Sequence, residues 1–176
     1  VVMYFLVSSV DVTVLSEHRM WLAAFNCFLI ALLIPFGVDY GSGNKSWLDI
    51  PLLPVDIQPA EICKITYILI MASVMASNQS RISSLRSIFQ MGFHLALLVG
   101  LNMVISEDLG VSLIFVFVFI GMAFAGGVSL LWFLGAGGAI ALAWPLLWDL
   151  MGSHQRNRIL VLIDPTVDPD GVYERY

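Results

Sequence analysis

Glu61 and Lys64 are the residues whose types and spacing most plainly suggest chemistry. They stand in the run Ile57-Gln58-Pro59-Ala60-Glu61-Ile62-Cys63-Lys64, which opens the apolar stretch Ile65-Thr66-Tyr67-Ile68-Leu69-Ile70-Met71-Ala72. Pro59 suits the first position of a helix, where the missing N–H costs nothing. Glu61 then falls in the first turn, where a carboxylate favours the positive end of the helix dipole. Residues at this spacing share one helix face, so Glu61 and Lys64 can pair. An ion pair on a membrane helix is expensive and normally faces a protein interior or a wet cavity. Two readings stand side by side: a structural pair that fixes helix packing, and the floor of a polar cavity within the bilayer.

Other chemistry-bearing residues are sparse. Ser106-Glu107-Asp108-Leu109-Gly110 places a capping serine and two acids at the positive end of the helix that follows. Asp164-Pro165 and Asp168-Pro169 are turn chemistry. His94 is a lone histidine in an apolar helix and reads as a packing hydrogen-bonder rather than a ligand. Cys27 and Cys63 lie in apolar stretches and read as small buried hydrophobes. No cluster of Cys and His has metal-ligand spacing.

Long apolar elements must position these groups. The chain has 176 residues, of which 59% are hydrophobic and 12% charged. Its mean hydropathy is +0.89. Soluble domains carry about 25% charged residues, so the expected class is all-α, a polytopic transmembrane helix bundle. The net charge of −5 comes mainly from acids in loops. The absence of a basic patch argues against nucleic-acid binding.

The hydropathy pattern predicts spans at about 20–38, 59–76, 87–105, 109–125 and 130–150, after a partial helix at 1–10. Asn26 is the one strongly polar group inside the first full span and is expected to hydrogen-bond between helices. Pro35 and Gly37 mark the end of that span. Trp47, Leu48, Ile50, Leu52 and Leu53 suggest either a segment lying in the interface or an apolar loop packed on helix ends. Gln90, His94 and Asn102 interrupt the third span, and Gly126-Gly127-Val128-Ser129 is a minimal turn. Gly135, Gly137 and Gly138 allow close helix approach, and Trp144 and Trp148 form an aromatic belt. Residues 151–176 turn polar and read as the start of a large non-membrane loop. The chain lacks an initiator Met and a basic signal-peptide region, and ends within a polar stretch. A fragment of a longer polytopic protein is therefore expected.

Short-loop charges orient the spans. Arg19, Arg81 and Arg86 fall on one side, and Lys45, Asp39, Asp49, Asp56, Glu107 and Asp108 on the other. The first side is then cytoplasmic. The Pro59 helix start, Asp108 and the final polar segment converge on the outer face.

These landmarks resemble one family, SEDS (shape, elongation, division and sporulation), the RodA/FtsW/SpoVE-like peptidoglycan glycosyltransferases. The family run Gly-Ala-x-Arg-Trp-Leu, then Gln-Pro-Ser-Glu-x-x-Lys, is matched by Asn44-Lys45-Ser46-Trp47-Leu48, then Gln58-Pro59-Ala60-Glu61-Ile62-Cys63-Lys64. The family's Gln-Pro-Asp-Leu-Gly is matched by Ser106-Glu107-Asp108-Leu109-Gly110. Its outer-loop run Arg-x-x-x-x-Leu-Asp-Pro-x-x-Asp-Pro-x-Gly is matched by Arg158 through Gly171. Order, spacing and intervening spans agree over essentially the whole chain. In the departures, Ser46 replaces the loop arginine, Ala60 a serine and Glu107 a proline, and Val172-Tyr173-Glu174 stands where Gly-Tyr-Gln is usual.

The resemblance implies a bundle of about ten membrane helices, of which this chain holds the second to seventh and the start of the large outer loop. It implies polymerisation of lipid II in a bacterial plasma (inner) membrane, alongside a class B penicillin-binding protein transpeptidase. The acceptor sugar 4-hydroxyl attacks the donor carbon, a carboxylate base takes the proton and the lipid pyrophosphate leaves. The family's general-base aspartate is expected beyond Tyr176, so no catalytic residue is assigned within this chain. Gln58, Glu61, Lys64 and Asp108 match polar positions of the substrate cavity. Arg156 and Arg158 are candidate pyrophosphate contacts, because guanidinium forks suit phosphate, with lipid headgroup binding or loop capping as the other reading. A divalent metal would serve the pyrophosphate, but the sequence shows no site for one. Two other functions keep the same features in use. One is a flippase or transporter for the lipid-linked precursor, although no internal repeat supports it. The other is a non-catalytic scaffold for the transpeptidase.

Overall fold

The structure is a computed structural model describing residues 18–39, 44–49 and 56–164, apart from the side chains of His154, Arg158, Leu162 and Ile163. The expected partial helix at 1–10, the segment 50–55 and Asp168 lie outside the described residues. Five helices longer than one turn of apolar sequence account for the spans: α1 (Arg19–Ala31), α3 (Pro59–Ser77), α4 (Leu85–Ile105), α5 (Leu109–Ala125) and α6 (Leu130–Leu150). The short α2 (Leu33–Phe36) prolongs α1, and α7 (Ser153–Ile163) follows α6. Among the described residues, Arg19–Phe36, Pro59–Ser77, Leu85–Ile105 and Leu130–Leu150 are long and apolar enough to cross a membrane, and Leu109–Ala125 is a shorter apolar helix. The chain is a multi-pass membrane protein.

Two compact units divide the chain, one ending at Val128 and the other starting at Ser129 among the described helices. In the first unit α3 packs against α1, α4 and α5. Its inward stripe is Cys63, Tyr67, Ile70, Met71 and Val74, a spacing that keeps one face of a 3.6-residue helix. The Tyr67 ring is fully buried, stacked on His94 of α4 at 5.9 Å between centroids and edge-on to Phe115 of α5 at 5.6 Å. Each aromatic contact of this kind contributes about 0.5–1.5 kcal/mol beyond area burial. His94 therefore packs by its ring face, and its Nε2 makes no hydrogen bond within the protein, unlike the hydrogen-bonding role expected of it.

The expected interhelical role of Asn26 is observed. Thr66 Oγ1 of α3 donates to Asn26 Oδ1 of α1, and the Cys63 thiol donates to the Asn26 carbonyl at 3.7 Å. Cys63 is buried and Cys27 half-buried, and both are free thiols.

The first span does not run unbroken to residue 38. The helix breaks at Leu32 and resumes for a single turn before Gly37 becomes extended. Pro35 is the cause: it lacks an N–H and its ring crowds the carbonyl of Ala31. A Cβ at Gly37 would stand 2.3 Å from the Leu33 carbonyl oxygen, so only glycine lets the chain turn away there.

In the second unit, α7 occupies the segment expected to begin a loop. Gly152 caps it, Gln155 Oε1 accepts from the Gly152 N–H at 3.2 Å, and Arg156 N–H donates to the Gly152 carbonyl at 3.0 Å. The helix ends at Asp164, extended at φ −138° and ψ 96°, as the following Pro165 requires.

Candidate functional site

At one end of the first unit, three short backbone segments pair side by side. β1 (Gly37–Val38) runs antiparallel to β2 (Trp47–Leu48), with Gly37 opposite Leu48 and Val38 opposite Trp47. Leu48 also bridges Ile57, through N–H to carbonyl bonds of 2.8 and 3.3 Å. Leu48 is buried beneath this ribbon. The Leu48–Ile57 bridge fixes where the chain enters α3, one residue before Gln58 and two before Pro59.

Pro59 takes the first helical position, as expected. Gln58 is half-buried and precedes it as the N-cap residue without a side-chain capping bond. Its carbonyl accepts from the Glu61 N–H at 3.1 Å. Lys64 Nζ meets Glu61 Oε1 at 2.7 Å, with the lysine side chain 19% exposed and the glutamate 59%. The pair is thus formed within one helix and has its carboxylate directed outward. An exposed pair at this spacing contributes only about 0.3–0.5 kcal/mol to stability.

Asp108 is placed differently from an open cavity wall. It is the N-cap of α5, its Oδ1 accepting from the Val111 N–H at 3.0 Å. Its Oδ2 accepts from Ser46 Oγ at 2.8 Å. Ser46 Oγ is also 2.8 Å from Ser106 Oγ. Since the single Ser46 proton goes to the carboxylate, Ser106 donates to Ser46. Ser106, expected to cap α5, instead ends α4, because the left-handed Glu107 (φ 56°) delays the new helix and hands the cap to Asp108.

Asn102 is a hub that motif and spacing do not reveal. Its amide donates to the Asp108 carbonyl at 2.9 Å and to Ser112 Oγ at 3.0 Å. Its carbonyl accepts the Ser106 and Glu107 N–H groups at 2.9 and 3.1 Å. The one signal for it in the sequence is a polar amide in the last turn of an apolar helix, just ahead of a tight connection. Ser46 stands out in the sequence only as a departure from a motif. Its partners Ser106 and Asp108 lie about sixty positions away, and spacing alone does not reveal such a contact.

The first unit also encloses a cavity of about 180 Å³ lined in part by Arg19, Met71, Gln90 and His94. In the second unit, Arg156 lies over the Trp148 ring at 5.9 Å and its Nη2 donates to the Asp149 carbonyl at 2.8 Å. It thereby caps the end of α6. The backbone of Arg158 lies on α7. Among the described residues, no three His, Cys, Asp or Glu side chains gather into a metal site.

Comparison with known proteins agrees with this architecture. Residues 1–174 match the profile of the FtsW/RodA/SpoVE family, described as cell cycle protein. The chain is 29% identical over 161 residues to the probable peptidoglycan glycosyltransferase FtsW of Haemophilus influenzae, covering 89% of this chain and 39% of that protein. It is 30% identical over 153 residues to the peptidoglycan glycosyltransferase MrdB of Escherichia coli K12, covering 82% and 39%. A solved structure described as "Structural coordination of polymerization and crosslinking by a peptidoglycan synthase complex" superposes with a TM-score of 0.75 at 26% identity, over 95% of this chain and 48% of its own. The chain thus spans about two fifths of the length of these curated relatives. With the family profile matched almost end to end and the solved structure superposing over 95% of the chain, the chain belongs to the FtsW/RodA/SpoVE family of cell cycle proteins.

Proposed function

We propose that the full-length protein is a peptidoglycan glycosyltransferase that polymerises lipid II in the bacterial plasma membrane, together with a class B penicillin-binding transpeptidase. The observation that carries this reading is the Glu61–Lys64 pair at 2.7 Å, set at the first turns of an apolar helix in a chain that resembles named peptidoglycan glycosyltransferases. The relative in a peptidoglycan synthase complex supports the partnership.

In this reading the pair lies at the outer end of the bundle. The Lys64 ammonium offers positive charge to a pyrophosphate, and Glu61 holds the ammonium in place. Gln58, half-buried one residue before Pro59, offers amide hydrogen bonds to the same ligand. In the second unit, Arg156 on α7 spends one donor on Asp149 out of the five a guanidinium has, which leaves it able to bind phosphate in its own right. The acceptor hydroxyl forms the new glycosidic bond as the donor carbon–oxygen bond breaks. The pyrophosphate departs with the electron pair, and the hydroxyl proton passes to a carboxylate base outside these 176 residues.

The test is lipid II polymerisation by the full-length protein purified with its transpeptidase, comparing wild type with Lys64→Ala. Glycan strands from wild type and their loss in the variant at equal folded yield are expected. No product from wild type, under conditions where a known polymerase works, overturns the reading in favour of translocation or scaffolding.

A further inference from the structure

Hydrogen bonds joined by short stretches of backbone link the start of α5 to the start of α3. Asp108 holds Ser46 at 2.8 Å. One residue before Ser46, the Lys45 N–H donates to the Ser106 carbonyl at 3.1 Å. Two residues after it, Leu48 bridges Ile57. Ile57 leads into Gln58, whose carbonyl holds the Glu61 N–H, and Glu61 holds Lys64. Ser46 is 5% exposed, Ser106 1% and Asp108 9%, so these contacts are shielded from competing solvent. Both carboxylate oxygens of Asp108 are engaged inside the protein, one by Val111 and one by Ser46.

We propose that Ser46 and Asp108 are positioning residues: their hydrogen bond clasps the segment before α3 onto the cap of α5, and so sets where Gln58, Glu61 and Lys64 stand before a lipid-linked pyrophosphate substrate. The inference rests on the glycosyltransferase reading for its substrate, but the clasp itself is a matter of geometry. It assigns Asp108 to the support of the site rather than to its lining. The path acts through backbone: Ser46 and Leu48 stand on one short segment, and a shift of Ser46 drags the Leu48–Ile57 bridge with it. Misplacing a binding group by about 1 Å costs on the order of a hundredfold in rate.

The hydrogen-bond chemistry supplies a discriminating variant. In Asp108→Asn the amide oxygen still accepts from Val111, and asparagine caps a helix as well as aspartate does. The amide NH₂ donates to Ser46, whose own proton then turns to Ser106, so both contacts of Ser46 persist with their directions reversed. A clasp survives this change, whereas a carboxylate acting by its charge on the substrate does not.

The experiment uses the full-length protein with its transpeptidase and measures kcat and KM for lipid II. Ser46→Ala and Asp108→Ala are each expected to lower kcat/KM by about a hundredfold, mainly through KM, and the double variant to lose no more than the worse single one. Asp108→Asn is expected to stay within about threefold of wild type. An Asp108→Asn loss equal to that of Asp108→Ala, or losses that multiply in the double variant, overturns the proposal. A second readout needs no activity. With Cys27 and Cys63 changed to Ala, Gln58→Cys is labelled by a membrane-impermeant maleimide. Ser46→Ala is expected to speed this labelling several-fold and Asp108→Asn to leave it unchanged; equal rates in all three backgrounds overturn the clasp. If wild type makes no glycan at all, the glycosyltransferase reading fails, and the labelling rates still decide the clasp.

Discussion

Asn26 on α1 and Thr66 on α3 meet through a side-chain hydrogen bond, forty residues apart in sequence, in the middle of apolar helices. Thr66 Oγ1 also lies 3.1 Å from the carbonyls of both Ile62 and Cys63, so its proton has alternatives within its own helix. Asn26 is fully buried. The cost of breaking this contact therefore falls on Asn26 rather than on Thr66. Interhelical hydrogen bonds in membranes contribute about 0.6 kcal/mol on average, and about 1.7 at most. Thr66→Val leaves Asn26 Oδ1 buried without its donor and is expected to lower stability by up to about 1.7 kcal/mol, and Asn26→Leu, of similar volume, which leaves Thr66 its own-helix acceptors, by no more than about 0.6 kcal/mol, read as thermal unfolding in detergent. Equal losses would show that Thr66 has no alternative acceptor.

Lys64→Ala separates the two readings of the ion pair. Glu61 is largely exposed, so removing its partner should cost less than about 0.5 kcal/mol of stability. If Lys64 holds substrate charge, polymerisation by the full-length protein should fall about a hundredfold. A normal melting temperature with lost activity is the expected pairing of results. The reverse pairing would make the Glu61–Lys64 contact a packing device.

Glu107 stands where the family run has proline, and its φ of 56° is one that proline cannot adopt. Its N–H also donates to Asn102. Glu107→Pro is expected to destabilise by more than about 1 kcal/mol. Glu107→Gly should be neutral or stabilising by up to about 1 kcal/mol, because it relieves the left-handed conformation. Thermal unfolding of the two variants side by side checks the sign of each.

Gly37 and Gly92 should respond oppositely to alanine. A Cβ at Gly37 meets backbone that cannot move aside, at 2.3 Å, whereas one at Gly92 meets nothing within 4 Å. Gly37→Ala is expected to destabilise by about 1–3 kcal/mol. Gly92→Ala lies inside α4 and should be neutral or stabilising by less than about 1 kcal/mol. Unfolding temperatures in one detergent suffice to compare them.

Several features of this protein are determined locally, by the order of residues alone. Helix bounds follow from runs of apolar residues and from Pro59, because a proline at the first helical position needs nothing from the rest of the chain. The Glu61–Lys64 pair follows in the same way, since residues at that spacing meet on any α-helix. Helix α7 is equally local, bounded by Gly152 and by Asp164-Pro165, but its polar first turn has the composition of a loop and hides it. The contacts that tertiary packing decides are of another kind. Ser46 with Asp108, Asn26 with Thr66, and Tyr67 with His94 and Phe115 join residues far apart in the chain. Periodicity says which face of each helix is apolar but not which face of which neighbour it meets. The rotation and depth of α1, α4 and α5 around α3 settle that, through close packing of side chains. The same packing makes Asp108 a buried cap with both oxygens engaged, where the sequence shows only an acid near a helix end.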